Sequence, residues 1–164
     1  MHTENNLSTI IQYFITHNIT ISSAESCSGG LISKMITDIP GCSAIYPGGV
    51  CAYSNEMKIK WLNVKSSTLE QYGAVSAETA LEMAQGIRNV TGSDYGISTT
   101  GIAGPGGGSI EKPVGLVWIG VAVKSGENVK ISVTKNNFVG NREKIKFSTS
   151  TTAIINAIKM IKNL

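Results

Sequence analysis

Three times along this chain a β-prone run ends in a turn of small residues, and twice that turn leads into a helical pattern. The run Ile19–Ile21 precedes Ser26-Cys27-Ser28-Gly29-Gly30, which leads into Leu31-Ile32-Ser33-Lys34-Met35-Ile36. Val50–Tyr53, after the turn Pro47-Gly48-Gly49, leads into a helical pattern over Asn55–Leu62. Tyr95–Thr100 opens a Gly/Pro-rich loop over residues 101–113. A strand that returns to its sheet through a helix runs parallel to its neighbour, so this alternation points to a sheet covered by helices. Two further runs, Val114–Val123 and Val129–Val133, are joined by Lys124-Ser125-Gly126-Glu127 and read as a hairpin that adds antiparallel strands. Leu7, Ile10, Ile11 and Phe14 give a helix over residues 6–17; Ser76 caps a second with the stripe Ala80, Leu81, Ala84, Ile87, closed by Gly92. A last helix over residues 141–163 is buried through Ile154, Ile155, Ile158 and Ile161. The predicted fold is a three-layer α/β/α sandwich with a mixed, largely parallel sheet, forming one domain over residues 1–164.

The 164 residues, 41% hydrophobic, suffice for a core without disulfides or a structural metal. No apolar stretch approaches the roughly 18 residues of a membrane span, and MHTENNLSTI lacks the basic and apolar regions of a secretory signal. Cys27, Cys42 and Cys51 cannot all pair within one chain, which suits reduced thiols and a cytoplasmic location. The net charge of +3 is uneven: residues 120–164 carry 8 Lys+Arg against 2 Asp+Glu. Lys159 and Lys162 read as the solvated end of the last helix. Aromatic residues are not interleaved with these cations, so nucleic-acid binding is not expected. A homo-oligomer is.

Elimination narrows the chemistry. The two histidines, His2 and His17, both lie in the N-terminal segment, which disfavours a Ser-His-Asp triad. No Cys/His/Asp cluster has metal-ligand spacing, no GxxxxGK[ST] is present, and the first strand–helix turn lacks GxGxxG. A buried lysine of lowered pKa can replace histidine as a base, and serine paired with lysine is an established nucleophile arrangement. The local Ser-x-x-Lys matches, Ser109–Lys112 and Ser132–Lys135, are weak: one lies in the loop, the other on a strand whose faces alternate. Ser26 is better placed, between a strand and a helix, where it is either a nucleophile beside free amides or an N-cap. Lys58 follows Tyr53-Ser54-Asn55-Glu56-Met57 and is either a base facing Ser26 or a surface lysine. The loop from Thr99 through Ser109 either lends amides to an anion or a carbonyl oxygen or is a mobile surface loop.

Taken together these clusters resemble a known family. AESCSGG at 24–30, YSNEMK at 53–58, GAVS at 73–76, TGIAGPGGGS at 100–109 and EKPVG at 111–115 occur in order. The chain resembles the C-terminal domain of CinA, the nicotinamide-nucleotide amidohydrolase family, in its stand-alone form without the nucleotide-pyrophosphatase domain of longer members. The resemblance implies hydrolysis of the carboxamide of nicotinamide mononucleotide to nicotinate mononucleotide and ammonia, with no cofactor and no metal. It implies Ser26, Lys58 and Tyr53 as the catalytic residues: Ser26 as nucleophile, Lys58 as the base that takes its proton directly or through Tyr53, and Tyr53 close to that pair. Cys27, Ser28, Gly29 and Gly30, the loop residues Thr100, Gly101, Ile102, Ala103 and Gly104, and Arg142 are the substrate-binding set it implies, with Lys144 or Lys146 aiding Arg142 at the phosphate. Cys27 is a rival nucleophile. Asn141 stands where the family carries aspartate, which either loosens Arg142 or only changes a helix cap. A non-catalytic nucleotide- or partner-binding module and an amidase acting on another small amide are the alternatives.

Overall fold

The computed structural model describes residues 2–161, with side chains described over 7–160, so the expectations for the side chains of His2, Ile161 and Lys162 lie outside the described residues. In chain order the elements are α1 (His2–Thr16), β1 (Ile21–Glu25), α2 (Leu31–Thr37), a short 3-10 turn (Cys42–Ala44), β2 (Gly48–Cys51), α3 (Asn55–Leu62), α4 (Ser66–Tyr72), α5 (Ala77–Thr91), β3 (Tyr95–Gly101), β4 (Leu116–Ser125), β5 (Asn128–Asn137) and α6 (Arg142–Ile161). The sheet order is β2-β1-β3-β4-β5. Both neighbours of β1 are parallel to it, and β4 pairs antiparallel with β3 and with β5. Four of the five strands therefore point the same way and β4 alone is reversed, which is the mixed sheet the alternation predicts.

Helices cover both faces. On one, Ile11 and Phe14 of α1, Ile32 and Ile36 of α2 and Ile154 of α6 pack on Ile21, Ile97 and Ile119. On the other, Leu62 of α3, Leu69 of α4 and Met83 and Ile87 of α5 pack around Ala24. Each such side chain contributes about 1.5–3 kcal/mol by leaving water. The second layer sits close because glycines admit it. A Cβ on Gly120 of β4 would lie 2.6 Å from the Ala80 carbonyl oxygen of α5, and one on Gly86 of α5 would lie 2.8 Å from the Leu62 carbonyl carbon of α3. These contacts seat α5 on the sheet and α3, which carries Lys58, against α5.

Three elements differ from the sequence expectation. Strand β2 runs over Gly48–Cys51 rather than Val50–Tyr53, so Gly48 and Gly49, read as a turn, pair with Ser22 and Ser23 of β1. The first strand is not Ile19–Ile21 but Ile21–Glu25, whose sequence ISSAE is fully buried. Its polar side chains are satisfied by partners distant in sequence: Ser22 Oγ is 2.6 Å from Ser93 Oγ, and Ser23 Oγ 2.6 Å from the Tyr46 hydroxyl. Helix α4 is not expected from the sequence at all, because Lys65 at its N-cap provides no side-chain acceptor. Glu82 of α5 supplies the cap instead, accepting from Lys65 N at 2.8 Å and Thr68 Oγ1 at 2.8 Å.

Candidate active site

The C-terminal ends of β1, β2 and β3 lie at one sheet edge, where parallel α/β sheets gather their ligand sites. Leu116, the first residue of β4, pairs with Asn137, the last of β5, so the chain enters α6 near Gly101 and the same edge. This juxtaposes the turn after Glu25, the segment after Cys51, the loop after Gly101 and the head of α6.

Ser26 follows β1 directly. Its amide donates to the Thr99 carbonyl at 3.0 Å and its carbonyl accepts from Gly29 N at 3.1 Å, which fixes the serine backbone on both sides. Helix α2 begins only at Leu31, with Gly30 as N-cap, so Ser26 is not its cap. The tight turn is permitted by positive φ at Gly29 and Gly30, 61° and 91°.

Lys58 lies in α3, whose first turn is capped by Ser54 Oγ accepting from Met57 N. The lysine is not a surface residue: it is 1% exposed. Its Nζ lies 2.9 Å from the Ala52 carbonyl oxygen, 3.1 Å from that of Tyr53 and 3.1 Å from Ser26 Oγ. Carbonyl oxygens accept only. A neutral amine that gives its two N–H groups to these carbonyls therefore aims its lone pair at Ser26, whose hydroxyl donates to it. Burial lowers the Lys58 pKa and favours that neutral form.

Tyr53 enters the site in two ways. Its carbonyl orients Lys58, while its hydroxyl lies away from that lysine and accepts from Arg142 Nη2 at 3.2 Å. Arg142 Nη1 donates to the Gly104 carbonyl at 2.8 Å, so this one guanidinium joins the Tyr53 segment to the glycine loop. Asn141 caps α6 through Oδ1, which accepts from Lys144 N at 2.9 Å, and Arg142 holds its two partners beside it.

A cavity of about 200 Å³ is lined by Ser26, Cys27, Tyr53, Lys58, Thr100, Gly101, Ala103 and Arg142, together with Ala74 and Val75. Arg142 also borders a wider groove of about 700 Å³ that reaches Leu31, Lys144, Lys146 and Phe147. Ser28, Gly29, Gly30, Ile102 and Gly104, expected in the substrate-binding set, are not among the residues that line the cavity. Thr100 donates its hydroxyl to the Ala74 carbonyl at 2.6 Å, which draws the 73–76 segment over the site. The loop is not mobile at its base: Ile102 N bonds the Leu116 carbonyl, Gly115 N bonds the Ile102 carbonyl, and Ala103 is buried in the core.

Cys27 is a poor nucleophile here. It is 5% exposed, and burial pushes its thiol up to about 12. His17, just past the end of α1, is exposed and stacks on Tyr13, and it is not among the residues that line the cavity. The Ser109–Lys112 pair is a local turn in which Lys112 Nζ reaches the Tyr72 carbonyl. Among the described residues no group of three or more His, Cys, Asp or Glu side chains is arranged to hold a metal ion, and no helix is long and apolar enough to cross a membrane. Sequence reasoning missed Ala74 and Val75, although they lie in the GAVS motif, and it missed Glu25. That carboxylate is fully buried and accepts from Ile32 N and Ser33 N in the first turn of α2. Its signal was an acidic residue directly before the Ser/Gly turn.

The CinA C-terminal domain profile matches residues 4–161. The chain belongs to the CinA C-terminal domain family. Among relatives, a putative competence-damage inducible protein of Clostridium novyi (strain NT) is 49% identical over 140 residues, which are 85% of this chain and 33% of that protein. One from Acetivibrio thermocellus is 48% identical over 148 residues, 90% of this chain and 34% of that protein. The chain thus spans about a third of the length of the curated relatives it matches. Among solved structures, the competence/damage inducible protein CihA of Agrobacterium tumefaciens superposes with a TM-score of 0.91 at 38% identity, covering 97% of this chain and 95% of that one. A CinA superfamily protein of Klebsiella pneumoniae gives a TM-score of 0.91 at 28% identity over 100% of both chains. The CinA C-terminal fold thus carries the Ser26–Lys58 edge described above.

Proposed function

We propose that this CinA-family domain hydrolyses the carboxamide of nicotinamide mononucleotide to nicotinate mononucleotide and ammonia, with Ser26 as nucleophile and Lys58 as base. The observation that carries the reading is the coordination of Lys58: two backbone carbonyls occupy its N–H groups, and the third direction meets Ser26 Oγ at 3.1 Å. With the amine neutral, that arrangement suits proton abstraction from serine.

In the first half-reaction Lys58 Nζ takes the Ser26 hydroxyl proton as Oγ bonds to the carboxamide carbon. The amides of Cys27 and Ser28 directly follow the nucleophile and are engaged by no backbone carbonyl among the described residues, which makes them the nearest donors for the oxyanion. The C–N bond then breaks, and the Lys58 ammonium returns its proton to the departing nitrogen, giving ammonia and a Ser26 ester. Water, deprotonated by Lys58, attacks the ester carbonyl; the bond from the acyl carbon to Ser26 Oγ breaks, and the Lys58 ammonium returns the proton to Oγ, releasing the nicotinate product and free serine. Arg142, with Lys144 and Lys146 in the adjoining groove, suits the phosphate of the nucleotide. Tyr53 serves through its carbonyl on Lys58 and its hydroxyl on Arg142 rather than as a proton relay.

The test is ammonia release from nicotinamide mononucleotide by the purified protein, with Ser26→Ala and Lys58→Arg as controls. Release by the wild type alone is expected, since arginine stays protonated and cannot act as base. Release by Ser26→Ala would move the nucleophile elsewhere. A folded wild type that binds the nucleotide without turnover would make the domain a binding module, and turnover of a different amide would reassign the substrate.

A further inference from the structure

Glu25 is the last residue of β1 and is fully buried, yet its carboxylate has no cationic partner: among the described residues the ion pair present is Lys34–Asp38. The charge is met by hydrogen-bond donors instead. Oε1 accepts from Ser33 N at 2.8 Å and Ser33 Oγ at 2.7 Å; Oε2 accepts from Ile32 N at 3.0 Å and Ser28 Oγ at 2.8 Å. Capping α2 needs only Ile32 and Ser33. The bond to Ser28 reaches further, into the turn that follows Ser26.

The direction of the hydrogens there is forced. A carboxylate only accepts, so the single Ser28 hydroxyl proton points at Glu25. The contact of 2.7 Å between Ser28 Oγ and Thr99 Oγ1 must then be donated by Thr99. The Thr99 carbonyl in turn holds the Ser26 amide at 3.0 Å. Strand alternation puts the Glu25 side chain on the α2 face and Ser26 toward Lys58, so the carboxylate fixes the serine from behind without entering the cavity.

We propose that Glu25 is a positioning residue: through Ser28 and Thr99 it holds the Ser26 turn in the place where Oγ meets Lys58 Nζ. This rests on Ser26 being the nucleophile. Replacing the carboxylate by an amide puts an NH2 group against donors and frees Ser28 to turn, so the loss falls on the reacting geometry and not on the Arg142 side of the site.

The experiment uses the full chain carrying Glu25→Gln. It measures kcat, KM and the pH–rate profile with nicotinamide mononucleotide, melting temperature, and the rate at which a fluorophosphonate probe labels Ser26. We expect kcat and labelling to fall by about 10–100-fold, in keeping with a misplacement of up to about 1 Å. KM stays within about twofold and the acidic limb of the profile stays at the wild-type pH, because the lysine keeps its surroundings. Ser28→Ala gives a smaller loss in the same two rates, and Ser28→Thr recovers most of it. Wild-type kcat and labelling in Glu25→Gln, whatever its melting temperature, would overturn the proposal, as would a loss explained by a displaced acidic limb. If Glu25→Gln does not fold, Ser28→Ala decides by the same two rates. A wild type that labels at Ser26 but releases no ammonia removes the substrate reading and leaves the labelling ratio to judge Glu25. Ammonia release that survives Ser26→Ala removes the nucleophile and this proposal together.

Discussion

Gly86→Ala separates packing from propensity, because the two predict opposite signs. Gly86 lies within α5 against Leu62, the last residue of α3. An added Cβ would overlap the Leu62 carbonyl oxygen and lie 2.8 Å from its carbonyl carbon and 3.0 Å from its Cα. Close-packed carbons sit about 3.5–4.0 Å apart, so the end of α3 must withdraw by roughly 0.7 Å or more. Overpacking of this kind costs about 1–3 kcal/mol. Helix propensity favours alanine over glycine by only about 1 kcal/mol. Overpacking therefore outweighs propensity, and the melting temperature should fall by about 2–4 °C for each kcal/mol of net loss in a domain of this size. Lys58 sits one turn upstream on the same helix, 3.1 Å from Ser26 Oγ. Displacing it by most of an ångström should lower kcat by about 10–100-fold with little change in KM. Calorimetry and ammonia release read both effects. A raised melting temperature with wild-type kcat would refute the dominance of packing at this position and leave propensity as the explanation.

The remaining expectations concern titration and the residues beside the pair. If neutral Lys58 is the base, kcat/KM rises with pH through a midpoint below the ordinary lysine value and then levels; a profile that falls over that range contradicts it. The folded chain holds this proton less tightly than the unfolded chain does. The contribution of Lys58 to stability therefore rises with pH between the folded and unfolded pKa values, and denaturant melts of wild type against Lys58→Met across alkaline pH should show the difference moving that way. Iodoacetamide at mildly alkaline pH should modify exposed Cys51 in the folded protein and spare Cys27, and activity lost in step with Cys27 modification would restore the thiol as a nucleophile. Asn141→Asp should change stability by no more than about 0.5 kcal/mol and turnover by less than about threefold, because either side chain caps the Lys144 amide; a large gain would mean that the cap controls Arg142.

What the sequence revealed, and what it hid, follows from where each signal is stored. Helices capped by their own residues were legible: Ser54 before α3 and Ser76 before α5 both bond an amide of the first turn. Helices α2 and α4 are capped by Glu25 and Glu82, which lie outside the helix in sequence, so α4 carried no local signature and the cap of α2, read at Ser26 as one alternative, lies elsewhere although its helical run at Leu31 was legible. Strand β1 was misplaced because burial there is achieved by Ser22, Ser23 and Glu25 through hydrogen bonds, a pattern with no hydrophobic periodicity. The approach of Ser26 to Lys58 followed from two strand–turn–helix units only once their strands paired in parallel, and the register of Glu25 against Cys51 supplies that pairing. The role of Arg142 as a tie between Tyr53 and Gly104 was not legible, since it depends on β5 returning the chain to the same edge.

The central claim is that Ser26 forms a covalent ester during turnover. Acid quench of the enzyme reacting with nicotinamide mononucleotide, followed by peptide mass spectrometry, reads it most directly. We expect a nicotinate-mononucleotide adduct on the peptide containing Ser26, localised by fragmentation to that residue and absent from Ser26→Ala. An adduct on Cys27, or steady turnover with the Ser26 peptide unmodified at every quench time while Ser26→Ala stays active, would contradict it.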